Sequence, residues 1–232
     1  MKKIKPIIGL NMDCSIRKDR LWHEIPENYV NAIVEAGGVP SLFPIFRDKK
    51  LITEQIKQCD GFLFMGGDDY PAKYFGMKSD SNEDPMLEQR ADYDIKIAKM
   101  ILDTKIPILG ICGGCQLINI VKGGKMILHS EGHGQGKDVY HSVNIVKDGI
   151  LKNLFKKNKL RINSGHHQAI DPNFISDELK ITAMTDDGVV EAIEGMEERF
   201  LLGLQWHPER MDDVDQRKTI FKRFINECKM DH

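Results

Sequence analysis

Apolar residues fall along this chain in two kinds of run. Short, nearly continuous runs at Pro6 to Leu10, Val39 to Ile45, Gly61 to Met65 and Ile106 to Gly110 read as strands buried on both faces. Between them lie stretches with helical spacing: Glu27 to Ala36, stopped at Gly37-Gly38, then Leu51 to Gln58, then Pro85 to Asp103. Strands alternating with helices in this way predict an α/β fold whose parallel sheet is covered on both faces. Beyond residue 140 the rhythm changes. Ser142 to Val146, Lys159 to Ile162, Leu179 to Thr185, Val189 to Ile193 and Phe200 to Gln205 are closely spaced strand-like runs, with Asp187-Gly188 as a turn between two of them. Part of the sheet is therefore expected to be antiparallel. Val214 to Lys229 closes the chain as an amphipathic helix whose apolar face holds Ile220, Phe221, Phe224, Ile225 and Cys228.

Composition narrows the function classes. No linker, low-complexity tract or internal repeat divides the 232 residues, so one domain spanning 1–232 is expected. Thirty-three Lys and Arg against 35 Asp and Glu give a net charge of −2, with no basic surplus to neutralise a phosphate backbone; nucleic acid is not an expected partner. No apolar run approaches the roughly 18 residues of a membrane helix. The amino-terminal apolar patch is interrupted by Pro6, Asn11 and Asp13 below signal-peptide length, so a cytoplasmic protein is expected and a membrane is not. The five cysteines are odd in number and scattered, which does not resemble a disulfide framework.

Chemistry concentrates in Ile106-Pro-Ile-Leu-Gly-Ile-Cys112-Gly-Gly-Cys-Gln-Leu-Ile-Asn-Ile120, an apolar strand that passes through a glycine-flanked cysteine into an amphipathic helix. This is the outline of a nucleophile elbow, which needs small residues two before and two after the nucleophile; Gly110 and Gly114 supply them. A thiol at a helix amino terminus is also favoured as the attacking thiolate. Two other readings stay open: Cys112-Gly-Gly-Cys115 as a Cys-x-x-Cys redox pair, and two core cysteines beside a glycine turn. A nucleophilic cysteine needs a base and a group that orients it. His207 and Glu209, in Gln205-Trp-His207-Pro-Glu209, stand two apart; on an extended segment, to which Pro208 biases His207, both side chains would leave one face. A third piece, Phe62-Leu-Phe-Met-Gly66-Gly67-Asp68, is a strand ending in glycines whose N–H groups could approach a substrate.

Gly110-Ile-Cys112-Gly-Gly114-Cys-Gln116 together with Gln205-Trp-His207-Pro-Glu209 resembles the elbow and the closing catalytic pair of the class I glutamine amidotransferases. Pro6-Ile-Ile-Gly9, Glu35-Ala-Gly-Gly-Val-Pro40, Asp60 to Asp68, Asn163-Ser-Gly-His-His-Gln168 and Asp187-Gly188 with Glu191-Ala192 are similar to the γ-glutamyl hydrolase branch of that superfamily, which includes the γ-glutamyl-γ-aminobutyrate hydrolases. The resemblance implies a flavodoxin-like three-layer sandwich with a mostly parallel central sheet. It implies Cys112 as nucleophile, His207 as base and then acid, Glu209 as the orienting carboxylate and the N–H groups of Gly67 and Gly113 as oxyanion donors. Gly66, Gln116, His167 and Gln168 would bind substrate, and His166 has either a binding or a structural role. No metal and no cofactor are expected for this chemistry. The implied activity is hydrolysis of a small γ-glutamyl amide, such as γ-glutamyl-γ-aminobutyrate, in the setting of polyamine catabolism. The alternatives are a glutaminase that feeds ammonia to a synthase partner and a thiol redox protein. A homodimer is left open by the apolar faces. The chain departs from the branch at Gly113, where a larger residue is usual, at Cys115, and at Arg90-Ala91, where an Arg-Asp pair is common.

Overall fold

A computed structural model describes residues 5–79, 81, 83–134 and 138–230. Strand β1 (Ile7–Asn11) leads into a hairpin of β2 (Asp13–Arg17) and β3 (Arg20–Glu24), followed by helix α1 (Glu27–Ala36) and strand β4 (Val39–Phe43). Helix α2 (Lys49–Ile56), strand β5 (Gly61–Phe64), helix α3 (Glu88–Leu102), strand β6 (Ile108–Ile111) and helix α4 (Gly113–Val121) complete the first half. The second half contains β7 (Met126–Ile127), β8 (Val139–Ile145), α5 (Ile150–Phe155), β9 (Lys159–Ser164), β10 (Ala169–Ile170), β11 (Leu179–Met184), β12 (Val190–Gly195) and β13 (Leu201–Leu204), and α6 (Val214–Glu227) follows.

One sheet takes the order β4-β1-β5-β6-β13-β12-β11-β8-β9. From β4 to β13 every neighbour is parallel, and from β13 to β9 every neighbour is antiparallel. The change of character beyond residue 140 therefore marks a real boundary within the sheet, and the antiparallel share is larger than the pattern alone conveyed. Alternate residues of β5 and β6 feed the two faces, as the pleat requires. Leu63, Leu109 and Ile111 join Tyr29 and Ile33 of α1 and Phe221 and Phe224 of α6 on one side. Phe62, Phe64 and Ile108 join Ile52 of α2, Ile97 and Ile101 of α3 and Leu117 and Ile118 of α4 on the other. The expected three layers are thus present. No helix among the described residues is long and apolar enough to cross a membrane.

Local chemistry sets the helix ends. Gly37, at φ 97°, stops α1, its N–H bonding to Val34 O at 3.0 Å while the Gly38 N–H reaches Ile33 O at 2.9 Å. Asp48 caps α2 by accepting from the Lys50 and Leu51 N–H groups, so that helix starts before Leu51. Helix α3 starts after Pro85 because Asp69 pairs with Pro85 and the Met86 N–H bonds to Asp69 O at 3.0 Å, keeping that stretch extended. The β2–β3 hairpin is not foreshadowed by the sequence pattern, for a physical reason. Ile16, Leu21 and Trp22 are exposed, so no buried face writes a pattern, and its turn places Lys18 and Asp19 at φ 50° and 58° without the glycine or asparagine such a turn favours.

Beneath the carboxyl ends of β1 and β5 lies a buried polar network centred on Arg90, which is 0% exposed. Its guanidinium donates to Asp94 Oδ2 at 2.8 Å and to the Gly66 carbonyl at 3.2 Å, and it forms an ion pair with Asp13 Oδ1 at 2.6 Å. Asp94 also accepts from the Tyr70 hydroxyl at 2.8 Å and from Asn11 Nδ2 at 3.0 Å, while Asn11 Oδ1 accepts the Met65 N–H at 2.9 Å. Burial alone would disfavour the charge on Arg90, but Asp94 and Asp13 outweigh it and keep the group protonated. Removing one member of such a cluster leaves buried charge uncompensated. Arg90→Ala is therefore expected to lower the unfolding free energy by about 3–5 kcal/mol in urea titration, whereas the exposed neighbour Glu88→Ala changes it by less than about 0.5 kcal/mol.

Candidate active site

Strands β1, β5, β6 and β13 all end on the same edge of the sheet, and the residues that follow them converge. Register pairs Phe64 with Gly110 and Leu204 with Ile111, which sets Met65-Gly66-Gly67, Cys112 and Gln205 to His207 side by side. The Cys112 N–H is held by Leu204 O at 2.7 Å.

Cys112 has φ 50° and ψ −110°, a conformation an L-residue adopts only when its surroundings force it. Two glycines permit this. A Cβ at Gly110 would lie 2.7 Å from the Gly114 carbonyl oxygen and from Ile118 Cδ1, and a Cβ at Gly114 would overlap the Phe64 carbonyl. Helix α4 thus packs backbone to backbone against β5 and turns the Cys112 sulfur to the strand tip. Gly113 is different, because a Cβ there would meet only ordinary contacts at 3.4 Å. Glycine at 113 leaves space that a larger side chain could fill.

His207 Nδ1 lies 2.8 Å from Glu209 Oε1. Extended geometry does not explain the pair, as the spacing suggested: Pro208–Arg210 form a 3-10 turn directly after His207, and the turn swings Glu209 back beneath the ring. Burial by itself favours the neutral imidazole. The charge of a Cys112 thiolate, the Glu209 carboxylate and hydrogen bonds to both outweigh it, and the His207 pKa is pushed up to about 10. Cys112, His207 and Glu209 are 6%, 5% and 2% exposed, so these charges act with little solvent screening.

The peptide joining Gly66 to Gly67 is oriented by the Arg90 network. The Gly66 carbonyl accepts from Arg90, and in a trans peptide the following N–H points the opposite way. This turns the Gly67 N–H from Arg90 toward the elbow, where the Cβ position of Gly113 is 3.4 Å from Gly67 N. The Gly113 N–H heads α4 and has no partner within the helix. Gly66 lines the site differently from expectation: its N–H donates to the Tyr29 hydroxyl at 3.2 Å and its carbonyl is taken by Arg90, so neither is left for a substrate.

Two cavities meet at Cys112, Gly67 and Gly165. The larger, of about 590 Å³, is lined by Asp13, Tyr29, Asp138, His207 and Arg210 among others. The smaller, of about 260 Å³, is lined by Asp68, Asp69, Asp84, Gln116 and 165–168. Burial and neighbouring carboxylates raise the Asp68 pKa, and burial raises that of Asp69 although His167 Nε2 lies 2.9 Å from its carboxylate. The Gln168 side-chain amide is buried with neither polar atom partnered among the described residues. Gln116 is committed within the protein, donating to Gln168 O at 3.1 Å and to Gln205 Oε1 at 3.3 Å. Gln205 Nε2 in turn donates to Cys112 Sγ at 3.6 Å. The two adjacent histidines diverge, His167 toward Asp69 and His166 toward Glu191. Cys115 is 0% exposed and lies under Gly203; burial pushes its thiol well up, which suits a core residue and not a redox partner. Arg90, Tyr29 and Gln205 carry roles that sequence reasoning did not assign. Gln205 stood within the quoted motif and Arg90 was noted only for the residue that follows it, whereas a lone tyrosine on a helix carried no signal.

The family model for Peptidase C26 matches residues 6–209. A glutamine amidotransferase-like protein of Rickettsia prowazekii is 30% identical, over 98% of this chain and 99% of its own length. The γ-glutamyl-γ-aminobutyrate hydrolase of Escherichia coli is 27% identical, over 96% of this chain and 93% of its own. Among solved structures, a protein of Thermoplasma acidophilum described as a candidate subunit of GMP synthase superposes with a TM-score of 0.66 at 18% identity, covering 96% of this chain and 94% of that one, and so shares the fold. The cysteine elbow, the buried histidine-carboxylate pair and the match along nearly the whole chain place it in the Peptidase C26 family, among the class I glutamine amidotransferase-like hydrolases of carbon–nitrogen bonds.

Proposed function

We propose that the protein hydrolyses the γ-glutamyl amide of a small compound such as γ-glutamyl-γ-aminobutyrate, releasing glutamate and an amine. The observation that carries this reading is the pair of unequal cavities meeting at the Cys112 sulfur. The smaller offers Asp68, Asp69 and Asp84, a group of carboxylates suited to an α-ammonium, beside the unpartnered Gln168 amide and His167. That donor set fits a glutamyl head group. The larger carries the Arg210 guanidinium, held by Asp138 at 2.7 Å, which suits a leaving amine that ends in a carboxylate. The E. coli relative hydrolyses such a compound by name.

In this reading the Cys112 thiolate attacks the γ-carbonyl carbon, and the oxyanion is met by the Gly67 and Gly113 N–H groups. The His207 imidazolium gives its proton to the amine nitrogen as the C–N bond breaks, leaving a γ-glutamyl thioester. Neutral His207 then takes a proton from water, which attacks the thioester; the C–S bond breaks, glutamate departs and the thiolate–imidazolium pair is restored. Glu209 keeps the ring aligned and stabilises its charge. Gln205, through its contact with sulfur, steadies the thiolate.

Glutamate release by the purified protein from a panel of γ-glutamyl amines, γ-glutamyl peptides and free glutamine tests the proposal. Release from the amines is expected in preference to glutamine; release from glutamine alone would overturn the substrate assignment. Cys112→Ala is expected to remove turnover while the far-UV spectrum and thermal midpoint stay close to wild type. The pH profile follows from His207. Its folded pKa lies above the ordinary value of 6.5, so the imidazolium that protonates the amine persists through neutrality and is lost as pH rises through about 10. The alkaline limb of kcat/KM is accordingly expected near pH 10, and Glu209→Gln should move it to lower pH while reducing kcat.

A further inference from the structure

On the antiparallel side of the elbow, three histidines converge on one carboxylate. Glu191 of β12 is 0% exposed. Its Oε1 lies 3.3 Å from His133 Nδ1, 3.4 Å from His166 Nε2 and 3.5 Å from His141 Nε2 of β8. None of these contacts has the geometry of a hydrogen bond. Both Glu191 oxygens, His133 Nδ1, His166 Nε2 and both ring nitrogens of His141 are buried without a hydrogen-bond partner among the described residues. The mechanism at Cys112 uses none of them.

The outward nitrogens explain what faces inward. His166 Nδ1 lies 2.9 Å from the Gln168 carbonyl, which can only accept, so Nδ1 carries the proton and the neutral ring turns a lone pair toward Glu191. His133 Nε2 lies 3.4 Å from the Asp187 carboxylate, and with a single ring proton placed there its Nδ1 faces Glu191 as a bare nitrogen. Lone pairs would then face a buried carboxylate oxygen from several directions, an arrangement that is repulsive unless positive charge sits among them. A single proton can bridge only one such N···O pair. A divalent cation serves them together, and tetrahedral bonds of about 2.0–2.1 Å separate neighbouring ligand atoms by roughly 3.3 Å, close to the distances of the histidine nitrogens from Glu191 Oε1. The backbone also bends to the purpose: Ala183 pairs with Ala192 and Met184 with Val190, so Glu191 is the extra residue of a β-bulge, a device that re-aims a side chain.

We infer that His133, His141 and Glu191 form a binding site for a divalent transition metal of the zinc class, with His166 Nε2 beside it at 3.4 Å from Glu191 Oε1 and Asp187 as the outer partner that fixes the His133 imidazole. The ligand atoms of His133, His141 and Glu191 lie within 4.8 Å of one another. The ion would be structural. It would tie the loop carrying His133 to β8 and β12, and His166, which approaches the same carboxylate, belongs to the segment that lines the smaller cavity beside Cys112.

The test uses the full chain carrying Cys112→Ser, so that the elbow cysteine cannot hold the metal. Stripped with a chelator and dialysed against Co²⁺ or Zn²⁺, this protein is expected to retain one ion per chain by elemental analysis. The cobalt form should show the intense visible bands of a four-coordinate site, and the thermal midpoint should rise with added Zn²⁺. Glu191→Gln and His141→Ala, added to the same background, should lose the ion and the thermal shift, and Asp187→Asn should weaken affinity by roughly ten- to a hundred-fold. A Cys112→Ser chain that retains no metal and shows no thermal shift overturns the site. So does undiminished binding in folded Glu191→Gln and His141→Ala variants. The parent measurement decides the matter even where a variant fails to fold, and none of these readouts depends on γ-glutamyl hydrolysis.

Discussion

Helix α4 can lie on the sheet only because residues 110 and 114 have no side chains, and that close approach of backbone to backbone holds the rest of the site in place. With α4 seated against the Phe64 carbonyl, the chain between β6 and α4 has no room for an ordinary turn, and Cys112 takes up φ 50°. Conformational strain at such a residue costs on the order of 1–3 kcal/mol. Two apolar layers, one on each face of the sheet, supply far more than that. The Cys112 sulfur is therefore aimed by packing alone.

Around that point the fold buries two cationic groups, and each is answered by a carboxylate. Arg90 is answered by Asp94 and Asp13, and uses its remaining capacity to turn one peptide so that the Gly67 N–H faces the elbow. His207 is answered by Glu209. The guanidinium reaches the elbow only through the main chain it holds, and it does so here with Ala91 beside it in place of the usual Asp. Asp94, one helical turn on from Arg90, supplies the carboxylate from the same face of α3.

The features legible in the sequence were those with a short period or a fixed local spacing. The buried strands β5 and β6, the helix Glu27–Ala36 with its glycine stop, and the elbow around Cys112 wrote themselves into runs of a few residues. The histidine-carboxylate pair was found for an incomplete reason, since a turn and not an extended segment brings Glu209 beneath His207. Arg90, Tyr29 and the histidines around Glu191 were not legible, because contacts such as Arg90 to Asp13 or His133 to Glu191 join residues dozens of positions apart and depend on sheet order. The exposed β2–β3 hairpin left no mark either, as a strand pair with solvent on its apolar side chains has no buried face to record.

Sheet order also has a consequence in time. β6 and β13 are neighbours in space, but the whole antiparallel half of the sheet lies between them in sequence, and Gln205 reaches the Cys112 sulfur across 93 positions. Closing a loop of that length comes late and depends on the intervening strands having formed. On the ribosome, Cys112 emerges with its elbow sequence complete but well before His207, which joins it only when nearly the whole chain has been made. A product broken off before β13 would carry a cysteine and no imidazolium to pair with it.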